Sequence, residues 1–222
     1  MSTEFGDMRT AYGNALIELG EQNKNIVVLG ADTTDSLKTS GFGKNFPDRF
    51  FNAGICEQSM ASMAAGMASE GHKVFIYSIA NFPTFRCAEQ IRNDICYHNL
   101  DVTIVSVGGG LAYGNLGYSH HAIQDYGLIR LFPEISILSP GDPIEVDKLF
   151  AYILNDSSPK YLRLRKAGEK NYSNKNVNIS PGKWGKIKSG NSIFLTTGYG
   201  LEIAQRLIKE NEKFSDFGIY TC

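Results

Sequence analysis

Glu57 is the residue whose surroundings most suggest chemistry. It stands in FFNAGICEQSMASMAAGM, residues 50–67, where two aromatics and a turn-forming Gly54 lead into Ile55-Cys56-Glu57-Gln58. Met60, Met63, Ala64 and Met67 follow at helical spacing, so the stretch reads as strand, tight turn and buried helix. Glu57 then sits in a first helical turn at the carboxyl end of a strand, the edge where open α/β sheets bind ligands. An acid there can simply pair with the helix dipole. Its neighbours point further: small residues, sulfur and isoleucine surround the carboxyl, and no cation lies within four positions. Such a carboxyl suits a proton-sharing role. Two more features fall just past strands. Phe82 and Phe85 offer faces on which a flat ring can stack, although two core phenylalanines would look the same. Ser119-His120-His121 places imidazoles in a polar loop, where they can donate or shuttle protons near neutral pH.

The elements that must position these groups alternate regularly. An amphipathic helix over Met8–Gln22 precedes the apolar run Ile26–Gly30, typical of a buried parallel strand, which ends in the polar loop Ala31-Asp32-Thr33-Thr34-Asp35. Residues 39–48 read as a glycine-containing loop with a short helical turn, and Lys73–Ile79 as the next strand. Residues 82–98 read as a helix with Pro83 at its first position and Phe85, Ala88, Ile91 and Ile95 toward the core. Val102–Val107 is β-rich, residues 108–121 form a long Gly- and Tyr-rich loop, and residues 122–132 read as helical. A strand over 135–138, a helix capped by Asp142-Pro143 and a strand over 160–165 complete the series. This predicts an α/β fold, a mostly parallel sheet with helices on both faces, over residues 1–166. Residues 167–191 are rich in Lys, Asn, Ser and Gly and read as a linker. Residues 192–222 offer one β-α-β unit, too little for an independent core, which reads as the start of a further domain.

Composition narrows the function classes. The chain has 222 residues and a net charge of -1, which gives no global drive toward nucleic acid or a membrane surface. No apolar run approaches the roughly 20 residues needed to span a bilayer, and no signal-peptide pattern opens the chain. Cys56, Cys87, Cys96 and Cys222 form no CxxC pair and read as reduced thiols of a cytoplasmic protein. There is no GxxxxGK[ST], no strand-linked GxGxxG and no carboxylate cluster that suggests a bound metal.

Three motifs carry a resemblance: FPDRFFNAGICEQSMASMAAGMA at residues 46–68, FPTFRCAEQIRNDI at 82–95, and GYSHHAIQDYGLIRLFPEISILSPGD at 117–142. Together they resemble the pyrimidine-binding domain of transketolase-like thiamine diphosphate enzymes, continuously over residues 8–165. Residues from Ser192 on resemble the opening of that family's third domain. The GDG signature that holds magnesium and diphosphate in such enzymes is missing, so the whole is similar to the C-terminal subunit of a split transketolase. The resemblance implies thiamine diphosphate and Mg2+ anchored mainly by a separate N-terminal, diphosphate-binding subunit. It implies self-association into an α2β2 assembly and sugar-like substrates exchanging a two-carbon ketol unit. The helix over residues 56–68 is the candidate for the two-fold contact.

Residue roles follow from the resemblance. Glu57 matches the glutamate that hydrogen-bonds the pyrimidine N1′ and favours the 4′-imino tautomer, whose nitrogen takes the proton from thiazolium C2. Phe82 and Phe85 match positions that stack on or enclose the ring, and Asp32 a strand-end acid near cofactor and substrate. His120 matches a histidine close to the substrate carbonyl and hydroxyls, with His121 in place of the family's Gln. Arg163, Arg165 or Lys166 would hold a sugar phosphate, with charge-assisted contacts suiting all three. Ala88 stands where some relatives carry an aromatic or an arginine, and Gly108 or Gly109 where longer transketolases carry a histidine. The alternatives are a β-type subunit of a 2-oxoacid dehydrogenase, an enzyme like deoxyxylulose-phosphate synthase, or a non-catalytic scaffold.

Overall fold

The computed structural model describes residues 7–33, 38–174 and 176–222, so Thr34 and Asp35 of the first polar loop lie outside the described residues. Helix α1 (Met8–Gln22) starts at Asp7, whose carboxylate accepts from the Arg9 N–H. The buried Glu169 accepts from the Met8 N–H at 3.1 Å, so the first turn's donors find one partner next to the helix and one far along the chain. β1 (Ile26–Gly30), α2 (Ser40–Asn45), β2 (Phe50–Asn52), α3 (Glu57–Ser69) and β3 (Lys73–Ile79) follow. Then come α4 (Ala88–Gln90), β4 (Val102–Val107), α5 (Asp125–Ile129), β5 (Ser136–Leu138), α6 (Pro143–Asn155) and β6 (Lys160–Leu164).

Their six strands pair in the order β2-β1-β3-β4-β6-β5, every neighbour parallel. Parallel pairing requires crossovers, which explains why strands alternate with helices. β1 and β4 are buried along their whole length, as strands covered on both faces must be. On one face α1 and α6 bury Tyr12, Leu16, Leu149 and Phe150 against Phe75 and Tyr77. On the other, Met60, Ala64, Ile91 and Ile95 pack on Val27, Ile76 and Ile104.

Three local expectations need amending. In α3 the buried stripe is Met60, Ala61, Ala64, Ala65 and Ala68, while Met63 is 41% exposed. The small alanine side faces inward, leaving Met63 outside. The expected helix over 82–98 is a run of turns, then α4, then a π-helical turn over Ile91–Cys96. Ile91 and Ile95 face the core as expected, but Phe85 is 44% exposed. The helix expected over 122–132 shortens to α5.

A second sheet contains β7 (Gly185–Lys188), β8 (Ser192–Thr196) and β9 (Phe217–Thr221) in the order β7-β9-β8, with β7 antiparallel and β8 parallel to β9. α7 (Gly200–Glu210) buries Leu201 and Ala204 against Ile219. β7 lies within the stretch expected as linker. Its sequence GKIK carries no apolar run, and pairing with β9 makes it a strand. The start of α6 joins the two sheets. Asp142 caps the helix through the Glu145 N–H at 2.9 Å, while its other oxygen accepts from the N–H groups of Tyr172 and Ser173. Glu145 accepts from the Gly141 N–H at 2.7 Å and from the hydroxyls of Ser173 and, on β9, Thr221. Burial pushes the Glu145 carboxyl above its usual value against these donors.

At the amino edge of the large sheet the buried Lys160 reaches Asp101 at 3.2 Å and Asp156 at 3.1 Å, and Lys73 also pairs with Asp101. Asp156, although burial works against its charge, is held down at about 2 by Ser158 and Lys160. Among the described residues no helix is long and apolar enough to cross a membrane.

Candidate active site

Glu57 opens α3. Gly54 takes φ +71, which turns the chain between β2 and the helix with no bulky neighbour near it. The Glu57 carboxylate is 2% exposed. The Ser78 hydroxyl on β3 donates to its Oε1 at 3.4 Å, and the Arg86 guanidinium pairs with its Oε2 at 2.6 Å. Arg86 lies 29 positions away in sequence, so no local window around Glu57 could reveal it. Its own motif, FPTFRC, stands out for its aromatics, and nothing in the spacing marks the cation beside them as a partner for Glu57. The Arg86 side chain is 42% exposed and lies over the Phe82 ring, 4.6 Å from the centroid.

Phe82 leads on to the loop histidine. Its ring meets His120 edge-on at 5.2 Å, and His120 lies 5.9 Å from Tyr113. The Ser119 hydroxyl is hydrogen-bonded to His120 Nδ1 at 3.0 Å, and Asn81 donates to the Ser119 carbonyl at 3.2 Å. Lys166, exposed, lies 4.8 Å over the Tyr113 ring. A continuous row of contacts therefore joins Glu57, Arg86, Phe82, His120, Tyr113 and Lys166.

The other expected residues stand apart from that row. Phe85 is exposed beside it. His121 Nε2 bonds the Gly114 carbonyl at 2.9 Å and so fastens the loop. Asp32, with φ +55, exchanges hydrogen bonds with Asn52 at 3.0 and 3.2 Å; Asn52 also accepts from the Gly54 N–H and so ties the loop after β1 to the turn before Glu57. The Arg163 guanidinium is engaged by Asp125 at 2.7 Å, the Ala122 carbonyl at 2.9 Å and the Tyr126 hydroxyl at 3.3 Å. Burial works against its charge, and Tyr126, Asp125 and Tyr161 hold it above the usual arginine value. Arg165 pairs with Glu202 of α7 and lies over the Tyr199 ring. A cleft of about 380 Å³ lies between Gly109, Ser139, Arg163, Arg165 and Tyr199.

Glycines 108 and 109 have a steric cause. A Cβ on Gly108 would meet Tyr113 at 2.1 Å, and one on Gly109 would meet Arg163 at 2.3 Å. The space that a side chain would need is filled by the ring beside His120 and by the loop's anchoring arginine.

The site fits a flat heteroaromatic base on three counts. The Glu57 carboxylate is buried, the Phe82 ring lies within reach of its partner Arg86, and Asn81 Oδ1 is a buried acceptor with no partner among the described residues. Burial and the charge of Glu57 push the neighbouring Cys87 thiol up to about 12, which keeps it neutral.

The family model of the transketolase pyrimidine-binding domain matches residues 6–169. A putative transketolase C-terminal section of Methanocaldococcus jannaschii is 36% identical over 217 residues, 95% of this chain and 69% of that protein. A subunit of the apulose-4-phosphate transketolase of Phocaeicola vulgatus is 33% identical over 186 residues, 83% of this chain and 60% of that relative. A split-gene transketolase solved as an inactive β4 tetramer superposes with a TM-score of 0.85 at 34% identity, over 97% of this chain and 70% of that one. The transketolase of Campylobacter jejuni, at 18% identity and a TM-score of 0.88, shares the fold. The chain belongs to the transketolase family and carries its pyrimidine-binding domain.

Proposed function

We propose that this chain is the pyrimidine-binding subunit of a two-chain transketolase that moves a two-carbon ketol unit between sugar phosphates. The observation that carries the reading is the Glu57 carboxylate, buried at the start of α3 and linked through Arg86 to Phe82 and from there to His120. The relatives named for split transketolases and for apulose-4-phosphate support a separate partner subunit and a phosphorylated substrate. Among the described residues no group of three or more His, Cys, Asp or Glu could hold a metal. On the family resemblance, we assign Mg2+ and the diphosphate to the partner and the assembly to α2β2 in the cytoplasm.

When bound, thiamine diphosphate would supply an acidic C2–H whose conjugate base is the nucleophile, and an electron sink for the fragment transferred. The protein's part is positional. Glu57 would hydrogen-bond the ring N1′ and share a proton with it. Phe82 and Phe85 enclose the ring and exclude water, with Asp32 behind the turn that presents Glu57. His120, steadied by Ser119, exchanges a proton with the substrate's oxygen, and His121 keeps its loop closed. Lys166, exposed beside Tyr113, takes the anionic end of the substrate; Arg163 and Arg165 are engaged by carboxylates behind it.

Thiamine diphosphate and Mg2+ are titrated against this chain alone and with its partner, and cofactor C2 proton exchange is followed in wild type and Glu57→Ala. Tight binding and turnover by this chain alone would overturn the split site. Exchange retained in Glu57→Ala would overturn the role of Glu57. Deoxyxylulose-phosphate synthase of Desulfotalea psychrophila is 32% identical over 191 residues, so 2-oxoacids are assayed beside ketose phosphates. Turnover of the 2-oxoacid alone would favour that second reading.

A further inference from the structure

Arg86 makes, from within the chain, the two contacts that a docked aminopyrimidine would need. Its Nη1 is bonded to Glu57 Oε2 at 2.6 Å, and its guanidinium carbon lies 4.6 Å from the centroid of the Phe82 ring. A flat, cationic, hydrogen-bonding group thus stands where a flat, hydrogen-bonding base would go. Both cannot use the same carboxylate oxygen and the same ring face. We infer that Arg86 is a gate: its guanidinium fills the base site of the unloaded chain and must swing away for the cofactor's ring to dock. The inference rests on the reading of Glu57 and Phe82 as the base site.

Two further observations favour a moving part over a fixed one. A carboxylate 2% exposed is costly without a partner, so the empty site needs a cation on Glu57. Yet Arg86 is 42% exposed, and among the described residues its guanidinium makes no hydrogen bond except to Glu57, so solvent can receive it when it leaves. Arg163 shows the opposite arrangement, with Asp125, Ala122 and Tyr126 fixing its guanidinium from several sides. A gate lowers apparent affinity by the fraction of time it stands open.

The test uses the full chain and 4-amino-2,5-dimethylpyrimidine as the probe, with binding read by NMR and folding by thermal melting. Arg86→Gln should bind the probe roughly three- to tenfold more tightly than wild type, with Arg86→Lys between them. In wild type the Arg86 side-chain N–H signal should shift along the same titration curve. In Arg86→Ala, added methylguanidinium should compete with the probe, as it should not in wild type. Equal or weaker binding by folded Arg86→Gln and Arg86→Lys would overturn the gate while leaving the base site standing. An Arg86 signal that ignores the probe would overturn it too, even if the variants failed to fold. No probe binding by any form would sink the base site and the gate together.

Discussion

Replacing Arg163 with methionine separates two roles for this residue, sugar-phosphate ligand and anchor of the histidine loop. The structure predicts the second. Arg163 reaches Asp125 at 2.7 and 3.3 Å, the Ala122 carbonyl at 2.9 Å and the Tyr126 hydroxyl at 3.3 Å, all in or beside α5, which follows the His120 loop. Asp125 is fully buried, and its other neighbour is the Tyr161 hydroxyl at 2.7 Å. Methionine fills much of the arginine's volume but leaves that carboxylate without its cation. Removing one member of a buried pair costs about 3–5 kcal/mol, and the partial exposure of Arg163 places the cost near the lower end, about 3 kcal/mol. With a urea dependence of about 3 kcal/mol per molar for a chain of this size, the denaturation midpoint should fall by roughly 1 M. Adding Asp125→Asn should restore part of the loss, because the stranded charge is then gone. A midpoint that moves by less than about 0.2 M, together with a raised KM for the sugar phosphate in the reconstituted enzyme, would refute the anchoring argument and make Arg163 a substrate ligand.

Other expectations follow from single contacts. Gly109→Ala should mimic part of the Arg163 loss in the same urea assay, since the new Cβ would meet that guanidinium at 2.3 Å. Gly54→Ala should cost about 1–2 kcal/mol for a left-handed alanine, with no clash to add to it, and a difference in melting free energy near zero would contradict the turn geometry. Asp156→Asn should lower stability at neutral pH. The folded-state value of Asp156 is held below the ordinary 3.8, so its contribution is present above 3.8 and fades as pH falls toward 2. Urea midpoints of variant and wild type should therefore converge over that window. In the native chain a thiol reagent should titrate Cys56 and Cys222 quickly, while Cys87 and Cys96, buried and both pushed up to about 12, wait for unfolding.

Much of the scaffold is legible in the sequence because single elements carry their own signals. Asp142-Pro143 announces a helix start, and Asp142 caps α6 as that pairing predicts. The apolar runs of β1 and β4 announce strands buried on both faces. Glu57 is legible as a first-turn residue, because a turn glycine and a helical stripe flank it. What stays hidden depends on partners distant in sequence. Arg86 meets Glu57 only once β3 and the turns after it bring the two together. Alternate arginines on a strand look equivalent, yet Asp125 claims one and Glu202 the other. β7 is a strand by virtue of its neighbour, since the single isoleucine of GKIK is too short a pattern to declare it. The π-helical turn needs one residue more per hydrogen-bonded ring than the apolar spacing around it implies, and spacing cannot report that.

Two acids one turn apart at the head of α6, Asp142 and Glu145, bind both the strand-end hydroxyl of Thr221 and the backbone of Tyr172 and Ser173. Pulling the small sheet away would strand two sheltered carboxylates at once. The joint therefore behaves as a rivet and not a hinge: shaking of either sheet is passed to the other, and heat should melt both in one step.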